Sequence, residues 1–201
     1  MKDVSFKDFD ILSEQDKEEA LTLLNRYDQI DKQDICQKDF ISFVKHLWPE
    51  FIEGRHHKII GDKFNKIAQG KLKRLIVCLP PRHSKSEFAS TYFPAWMMGR
   101  KGDLKIIQTT HTAELAVRFG RKVRNLMDQE EYKKIFPEVK LQSDNKSAGR
   151  WETNKGGEYF AAGVGGAVTG KGADLLIIDD PHSEQEAALA ETSPEIYDKT
   201  Y

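Results

Sequence analysis

The residues of this chain best placed for chemistry begin with Lys85 and Ser86, at the end of a loop of prolines and basic residues. The loop follows the apolar run at residues 75–79 and opens a helical stretch, so backbone N–H groups at a helix start would face an anion there. A lysine in this position neutralises phosphate oxygens, and a serine hydroxyl binds Mg²⁺. The spacing predicts a loop that holds the phosphates of a nucleotide together with Mg²⁺.

The loop departs from the general Walker A pattern, G-x-x-x-x-G-K-[ST], in all but its last two positions. Leu79 and Ser84 stand where glycines usually stand. The alternative is an ordinary strand–turn–helix junction with an exposed lysine. Residues 165–172 fit G-x-x-x-x-G-K, but Gly172 offers no hydroxyl and a strand follows. That segment is better interpreted as a Gly-rich loop beside the site or DNA.

Two adjacent carboxylates, Asp179 and Asp180, follow the apolar run at residues 175–178. In nucleotide hydrolases the first such carboxylate holds Mg²⁺ and the second polarises the attacking water. Side chains alternate along a strand, so neighbouring carboxylates point differently and can take different roles. A solvated acid pair is the alternative. The position of the pair, about 90 residues after Lys85 in a parallel α/β order, favours ATP chemistry.

The surrounding elements predict an α/β fold. Three short apolar runs are predicted as strands: residues 75–79, 104–109 and 175–178. Helical stretches alternate with them, including one at 112–128, which implies a P-loop NTPase fold with a mostly parallel sheet flanked by helices. Pro94 should kink or end the helix after the first strand. Residues 151–161 predict a hairpin.

The two ends of the chain have a different character. Residues 1–50 predict a helical subdomain or lid, with a first helix at 14–28 capped by Ser13, and residues 51–201 the ATPase domain. The first helix has four apolar side chains on one face: Ala20, Leu21, Leu24 and Tyr27. Near the other end, Ser183 and Glu186 form a capping box, and a last helix starting at Ser193 is cut off by the chain end. We therefore expect a fragment of a longer protein.

Composition excludes some classes. No apolar run approaches the ~20 residues of a membrane span. Two cysteines, Cys36 and Cys78, cannot form a disulfide framework; Cys78 is predicted to lie in the core, and a reducing cytoplasm fits. Residues 51–150 carry 21 basic and 10 acidic residues, a net charge of +11. The net charge is −5 for residues 1–50 and −7 for residues 151–201. This basic field suits the phosphates of a nucleotide or nucleic acid, although an ordinary solvated surface explains it equally well.

Taken in order, these motifs resemble the large terminase subunits of tailed bacteriophages. The resemblance covers roughly residues 45–190 and is carried by residues 80–87, 110–116, 119–124, 163–166, 169–174 and 177–181. It implies a motor that uses ATP and Mg²⁺ to thread double-stranded DNA into a preformed capsid in the cytoplasm of the infected bacterial host. The implied partners are the portal protein and the small terminase subunit, and the assembled form is a homo-oligomeric ring. The family's coupling segment and nuclease would follow residue 201.

The resemblance also assigns roles. Lys85 and Ser86 bind phosphate and Mg²⁺, and Asp179 is the Walker B acid. Asp180 stands where many relatives have a catalytic glutamate; because aspartate is shorter, Glu184 is a second candidate. The family commonly has a glycine at the position of Ser84.

Further roles belong to the loop and to basic side chains. The loop residues implied to contact nucleotide are Pro81, Arg82, His83, Ser84, Lys85, Ser86 and Glu87. Arg82 resembles a loop arginine that stabilises the γ-phosphate; the alternative is an arginine at a helix start that touches solvent. Arg55, His56 and His57 lie where relatives contact adenine, with surface placement an equal alternative. The DNA candidates are Arg118, Arg121, Arg124 and Lys171, although a solvated face explains the three arginines better.

Two other functions remain open at this stage. A helicase-like nucleic-acid translocase would share the ATPase chemistry, and processive unwinding would distinguish it from portal-dependent packaging. A non-hydrolysing DNA-binding or assembly module would have a degenerate site at Leu79, Ser84 and Asp180. ATP turnover separates that module from both motors. His46, His111 and His182 have no partner at metal-ligand spacing, so we predict no zinc.

Overall fold

The computed structural model describes residues 13–166, 168, 170–193 and 195, without the side chains of residues 143–146, 184 and 187. Its helices are α1 (Glu14–Lys38), α2 (Phe40–Leu47), α3 (Arg55–Ala68), α4 (Phe93–Arg100), α5 (Ala113–Met127), α6 (Glu130–Ile135) and α7 (Glu184–Ala190). Its strands are β1 (Lys105–Thr110), β2 (Leu141–Lys146), β3 (Arg150–Thr153), β4 (Glu158–Gly163) and β5 (Leu175–Ile178). A π-helical segment, Glu87–Tyr92, leads directly into α4. No helix in these ranges is long and apolar enough to cross a membrane.

The five strands form one open, mixed sheet in the order β2-β3-β4-β1-β5. β1 pairs in parallel with β4 and β5, whereas β2–β3 and β3–β4 are antiparallel. The predicted α/β class and the hairpin are confirmed. The predicted predominance of parallel pairing is wrong, because short connections from β2 to β4 can join only antiparallel neighbours.

Residues 75–79 form no strand, contrary to the sequence prediction. Leu75, Val77 and Leu79 are half-buried and pack against the core. Ile76 is 89% exposed and Cys78 is exposed, so the prediction of a core cysteine is wrong. Side chains of this run alternate between the core and solvent. No strand of the described chain pairs with the run.

The core joins the N-terminal helices to the rest of the molecule. Phe40, at the start of α2, is fully buried and meets the rings of Phe64 and Phe88 edge-on, with centroids 5.0 and 5.4 Å apart. Asp39 caps α2 by accepting from the backbone N–H of Ser42 at 2.8 Å. The same carboxylate accepts from the Asn65 side chain on α3, which fixes α2 against α3. The domain boundary predicted between residues 50 and 51 stays a prediction.

The helix at the N-terminus is longer than predicted, extending from Glu14 to Lys38. Ser13 caps it as expected, accepting from the Asp16 N–H. Of the apolar face predicted from the sequence, Leu21, Leu24 and Tyr27 are exposed. Only the C-terminal end of α1 reaches the core, through Cys36.

The helical stretch that includes Glu87–Tyr92 passes Pro94 without ending. A proline lacks the N–H that the carbonyl four residues earlier would receive in an α-helix. The preceding turns are widened instead into the π-helical segment, in which the Phe93 N–H bonds to the Phe88 carbonyl. The helix does not end at Pro94, and the segment before it is a π-helix, a feature frequent at functional sites.

Candidate active site

The loop before the π-helical segment lines a cavity of about 640 Å³. The residues around it are Leu79, Pro80, Pro81, Arg82, Ser84, Lys85, Ser86, Glu87 and Asp180. Six of the seven predicted loop contacts are thus brought to one cavity, together with the second residue of the acid pair. His83 belongs to the loop but does not line the cavity; its Nδ1 lies 2.8 Å from the Pro81 carbonyl.

Lys85 joins the loop to the end of β5. Its ammonium group donates a hydrogen bond to Asp180 and lies 3.7 Å from Oδ1 of Asp179. Burial acts to lower the pKa of Lys85, but the hydrogen bond and charge of Asp180, with the charge of Asp179, raise it above its ordinary value. Lys85 is therefore a cation at neutral pH, 95 residues along the chain from its partner.

The two carboxylates occupy different environments. Asp179 is buried and accepts a hydrogen bond from the hydroxyl of Ser90 at 2.8 Å. The side chain of Asp180 is 61% exposed and faces the cavity. Neighbouring side chains point in different directions, as the sequence predicts. The Asp179 side chain is therefore buried, whereas the Asp180 carboxylate is exposed to solvent.

Strained backbone is concentrated at this cavity. Arg82, Ser84 and Asp180 have φ values of 63°, 62° and 45°, and in the described ranges they are the only non-glycine residues with positive φ. Such conformations cost free energy and persist where the surroundings impose them, often at functional sites. A glycine would adopt the Ser84 conformation without strain, whereas a serine must be held in it by its surroundings.

Oxygen donors at the cavity and beside Lys85 would suit a Mg²⁺ ion carried by a nucleotide. No group of three or more histidine, cysteine or acidic side chains within the described ranges could hold a metal by itself. Mg²⁺ bound with a nucleotide needs fewer protein ligands, because phosphate oxygens and waters complete its octahedron. The Ser86 hydroxyl and the Asp179 carboxylate are the oxygen donors that such an ion takes.

Three histidines meet beside the loop. The rings of His56 and His57, at the start of α3, are 3.8 Å apart, and His56 lies 5.6 Å from His83. His57 is buried, and its Nδ1 accepts from the Gly54 N–H at 2.9 Å. Burial, followed by the neighbouring His56, lowers the pKa of His57. The structure thus brings two of the predicted base contacts to the loop, whereas Arg55 is exposed.

The predicted DNA contacts lie elsewhere. Arg118 and Arg121 are exposed on α5, and Arg124 is half-buried. Lys171 lies over the Phe160 ring at 4.2 Å and 3.8 Å from Glu158. None of these four lines the cavity. The side chain of Glu184, the second candidate for water activation, lies outside the described residues.

Two contacts escaped sequence reasoning. The first is the hydrogen bond from Ser90 to Asp179. Its only sequence signal is that Ser90 follows Ser86 by one helical turn, which could have indicated that the two serines lie on one helix face. Lys122 of α5 donates to the Glu87 carboxylate at the cavity rim. No sequence pattern marks that second pair, because it depends on how α5 packs against the π-helical segment.

Comparison of this chain with protein-family models, with curated proteins and with solved structures finds no match.

Proposed function

We propose that this chain is the ATP-binding and ATP-hydrolysing part of a DNA-packaging motor of the terminase large-subunit type. The observation that carries the proposal is that Lys85 lines the loop cavity together with Asp180 and also lies 3.7 Å from the buried Asp179. A cation, a hydroxyl and an exposed carboxylate line one cavity, and a buried carboxylate lies 3.7 Å from the cation; these are the groups that phosphoryl transfer to water requires. The sequence resemblance supplies the DNA-packaging part of the proposal.

Lys85 and Asp180 exchange partners in the proposed reaction. In the structure the Lys85 ammonium binds the Asp180 carboxylate. Nucleotide phosphates entering the cavity compete for the ammonium, because a phosphate group carries more negative charge than a carboxylate. Asp180, released from Lys85, then orients a water molecule for attack on the γ-phosphate. This exchange gives the strained, exposed Asp180 a role that begins only when nucleotide is bound.

The remaining groups bind and stabilise charge. Ser86 and Asp179 would hold the Mg²⁺ that accompanies the nucleotide, and its charge would offset that of the phosphates. Arg82 lines the same cavity from its own loop, so its guanidinium stabilises charge on the transferred phosphoryl group within the same subunit. His56, near His83 of the loop, contacts the base.

Double-stranded DNA is the proposed track. Arg118 and Arg121 point to solvent from α5, and the same helix is tied to the cavity rim through Lys122 and Glu87. Contacts of this kind go to phosphates and carry no base specificity, as a packaging motor requires. The portal protein, the small subunit and the ring are proposed on the resemblance alone.

The test compares two lysines. We expect the wild-type protein to release phosphate from ATP. Lys85→Ala should be reduced to background while its circular dichroism spectrum stays that of a folded protein. Lys171→Ala, the lysine of the second G-x-x-x-x-G-K stretch, is the matched control and should keep most of the activity. Turnover retained in Lys85→Ala would remove the loop from the mechanism. A wild type that binds DNA without hydrolysing ATP would favour the non-hydrolysing module.

A second assay separates the two motors. DNA packaging into procapsids that carry a portal, driven by ATP, is expected of a packaging motor that contains this chain. ATP-driven unwinding of a duplex without capsids would instead support the helicase-like translocase.

A further inference from the structure

Ser90 forms a buried hydrogen bond whose function the loop pattern does not supply. Its hydroxyl donates to Oδ2 of Asp179 at 2.8 Å, across 89 residues of chain. Ser90 is fully buried and Asp179 is 6% exposed. The bond therefore connects the helix that follows the loop to the end of β5 inside the protein, where water does not replace it.

The two oxygens of Asp179 face different groups. Oδ2 receives the Ser90 hydroxyl, whereas Oδ1 lies 3.7 Å from the ammonium of Lys85, a residue that lines the cavity. A carboxylate held by one oxygen in this way cannot rotate freely about its Cβ–Cγ bond. Oδ1 is thereby kept on the side where the nucleotide and its Mg²⁺ would bind.

The π-helical segment contains Ser90 at its fourth position. A π-turn hydrogen-bonds to the fifth residue instead of the fourth, so it changes the direction in which each following side chain points. Glu87 within the same segment reaches the cavity rim, whereas Ser90 faces the interior. The π-helical segment thus contains one residue that reaches the cavity and one that faces the interior.

We propose that Ser90 is a positioning residue for the Mg²⁺ site, acting by fixing the orientation of Asp179. The inference rests on the proposed nucleotide function and deepens it. Groups that hydrogen-bond a metal ligand from behind, as Ser90 does, typically change metal affinity by about 10- to 100-fold when they are removed. Ser90 touches neither nucleotide nor Mg²⁺ in this scheme.

The test compares Ser90→Ala with Thr91→Val. Thr91 is the neighbouring residue of the same π-helical segment and is 5% exposed, and within the described structure its hydroxyl has no hydrogen-bond partner. Both variants remove a buried hydroxyl, but only Ser90→Ala frees Asp179. Nucleotide affinity is measured by calorimetry with Mg²⁺ and in excess EDTA, and thermal unfolding is recorded for each protein.

We expect Ser90→Ala to weaken Mg²⁺-dependent nucleotide binding by about 10- to 100-fold and to leave binding in EDTA unchanged. Thr91→Val should change neither. If alanine at position 90 prevents folding, Ser90→Thr and Ser90→Val replace it, since their side chains share a shape and differ in the hydroxyl. The threonine variant should keep the Mg²⁺ dependence and the valine variant should lose it.

The outcomes distinguish this inference from the function on which it rests. A wild type without Mg²⁺-dependent nucleotide binding overturns the proposed function and this role of Ser90 with it. A wild type that binds Mg²⁺-nucleotide, with Ser90→Ala equal to wild type, overturns the role of Ser90 alone. The role of Ser90 would also be overturned if Ser90→Ala weakened nucleotide binding equally with Mg²⁺ and in EDTA. The same holds if Ser90→Ala and Thr91→Val had equal effects, because either result would show a general structural effect.

Discussion

At the scale of single residues, Asp179 and Asp180 show how two identical side chains acquire different chemistry. Asp179 is buried and bound by Ser90, while Asp180 has a strained backbone and an exposed carboxylate held by Lys85. A fixed carboxylate suits a metal, which needs its ligand in one place. An exposed carboxylate that can leave its partner suits a water molecule in the transition state.

This difference predicts separate effects of two substitutions. Asp179→Asn should weaken Mg²⁺-nucleotide binding and hydrolysis together. Asp180→Asn should spare binding and lower the turnover rate, because its contribution arises mainly in the transition state. Calorimetric titration with Mg²⁺-nucleotide and single-turnover hydrolysis measure the two quantities separately. Equal losses of nucleotide affinity in both variants would contradict this division of roles.

At the scale of elements, the start of α3 depends on an unusual cap. Gly54 has no capping side chain, and its own N–H is bound by Nδ1 of His57 in the first turn. A protonated Nδ1 cannot accept this bond. The groups around His57 are His56, His83 and Glu53, together with the aromatic rings of Phe51 and Phe88.

The cap predicts a pH-dependent stability. The pKa of His57 is lowered from 6.5 in the folded protein, so the unfolded chain takes up the proton first as the pH falls. The stabilisation is fully present above about pH 6.5 and is lost as the pH falls through the folded-state pKa. Melting temperatures recorded from pH 8 to about pH 5 should therefore decline by a few degrees more in wild type than in His57→Gln. Glutamine at this position accepts the same cap bond without titrating.

His46→Gln is the matched control for that experiment. His46 is partly exposed, belongs to the last turn of α2 and lies 3.5 Å from the carboxylate of Glu131. Its variant should retain the wild-type pH profile in the region assigned to His57. A His57→Gln profile parallel to wild type would show that the cap does not titrate.

At the scale of the whole molecule, charge is distributed unevenly. The region of residues 51–150, with its balance of +11, includes α5, from which Arg118 and Arg121 project into solvent. Acidic residues predominate in the flanking regions. Nucleic acid binding by such a surface releases counterions from the phosphates and weakens as salt rises.

We therefore predict a salt-dependent affinity for double-stranded DNA. Arg118→Ala and Arg121→Ala should each weaken binding for every sequence alike and reduce the slope of log affinity against log salt by about 1. Fluorescence anisotropy with a labelled duplex at several salt concentrations measures both effects. Arg26→Ala, an exposed arginine on the acidic helix α1, is the control and should leave the slope unchanged. An unchanged slope in the α5 variants would place DNA on another face.

The sequence alone determined features whose causes lie within a few residues. β5 has the bounds 175–178 that its apolar run predicts, and the hairpin of β3 and β4 forms where its turn residues indicate. The Ser183–Glu186 capping box is present, with the Ser183 N–H donating to Glu186 at 2.8 Å. Caps, turns and side-chain periodicity act over one helical turn or one strand pair, so the pattern of local residues suffices to predict them.

Only the tertiary structure decided which of these elements became neighbours. The run at residues 75–79 has the composition of a buried strand, yet it pairs with no described strand, since pairing depends on a partner in register rather than on the run itself. Ser90 meets Asp179, and His56 meets His83, through packing between segments far apart in the chain. The mixed sheet arises in the same way, because the direction of each strand depends on its connection. Contacts of this range are set by the path of the whole chain, which no local pattern contains.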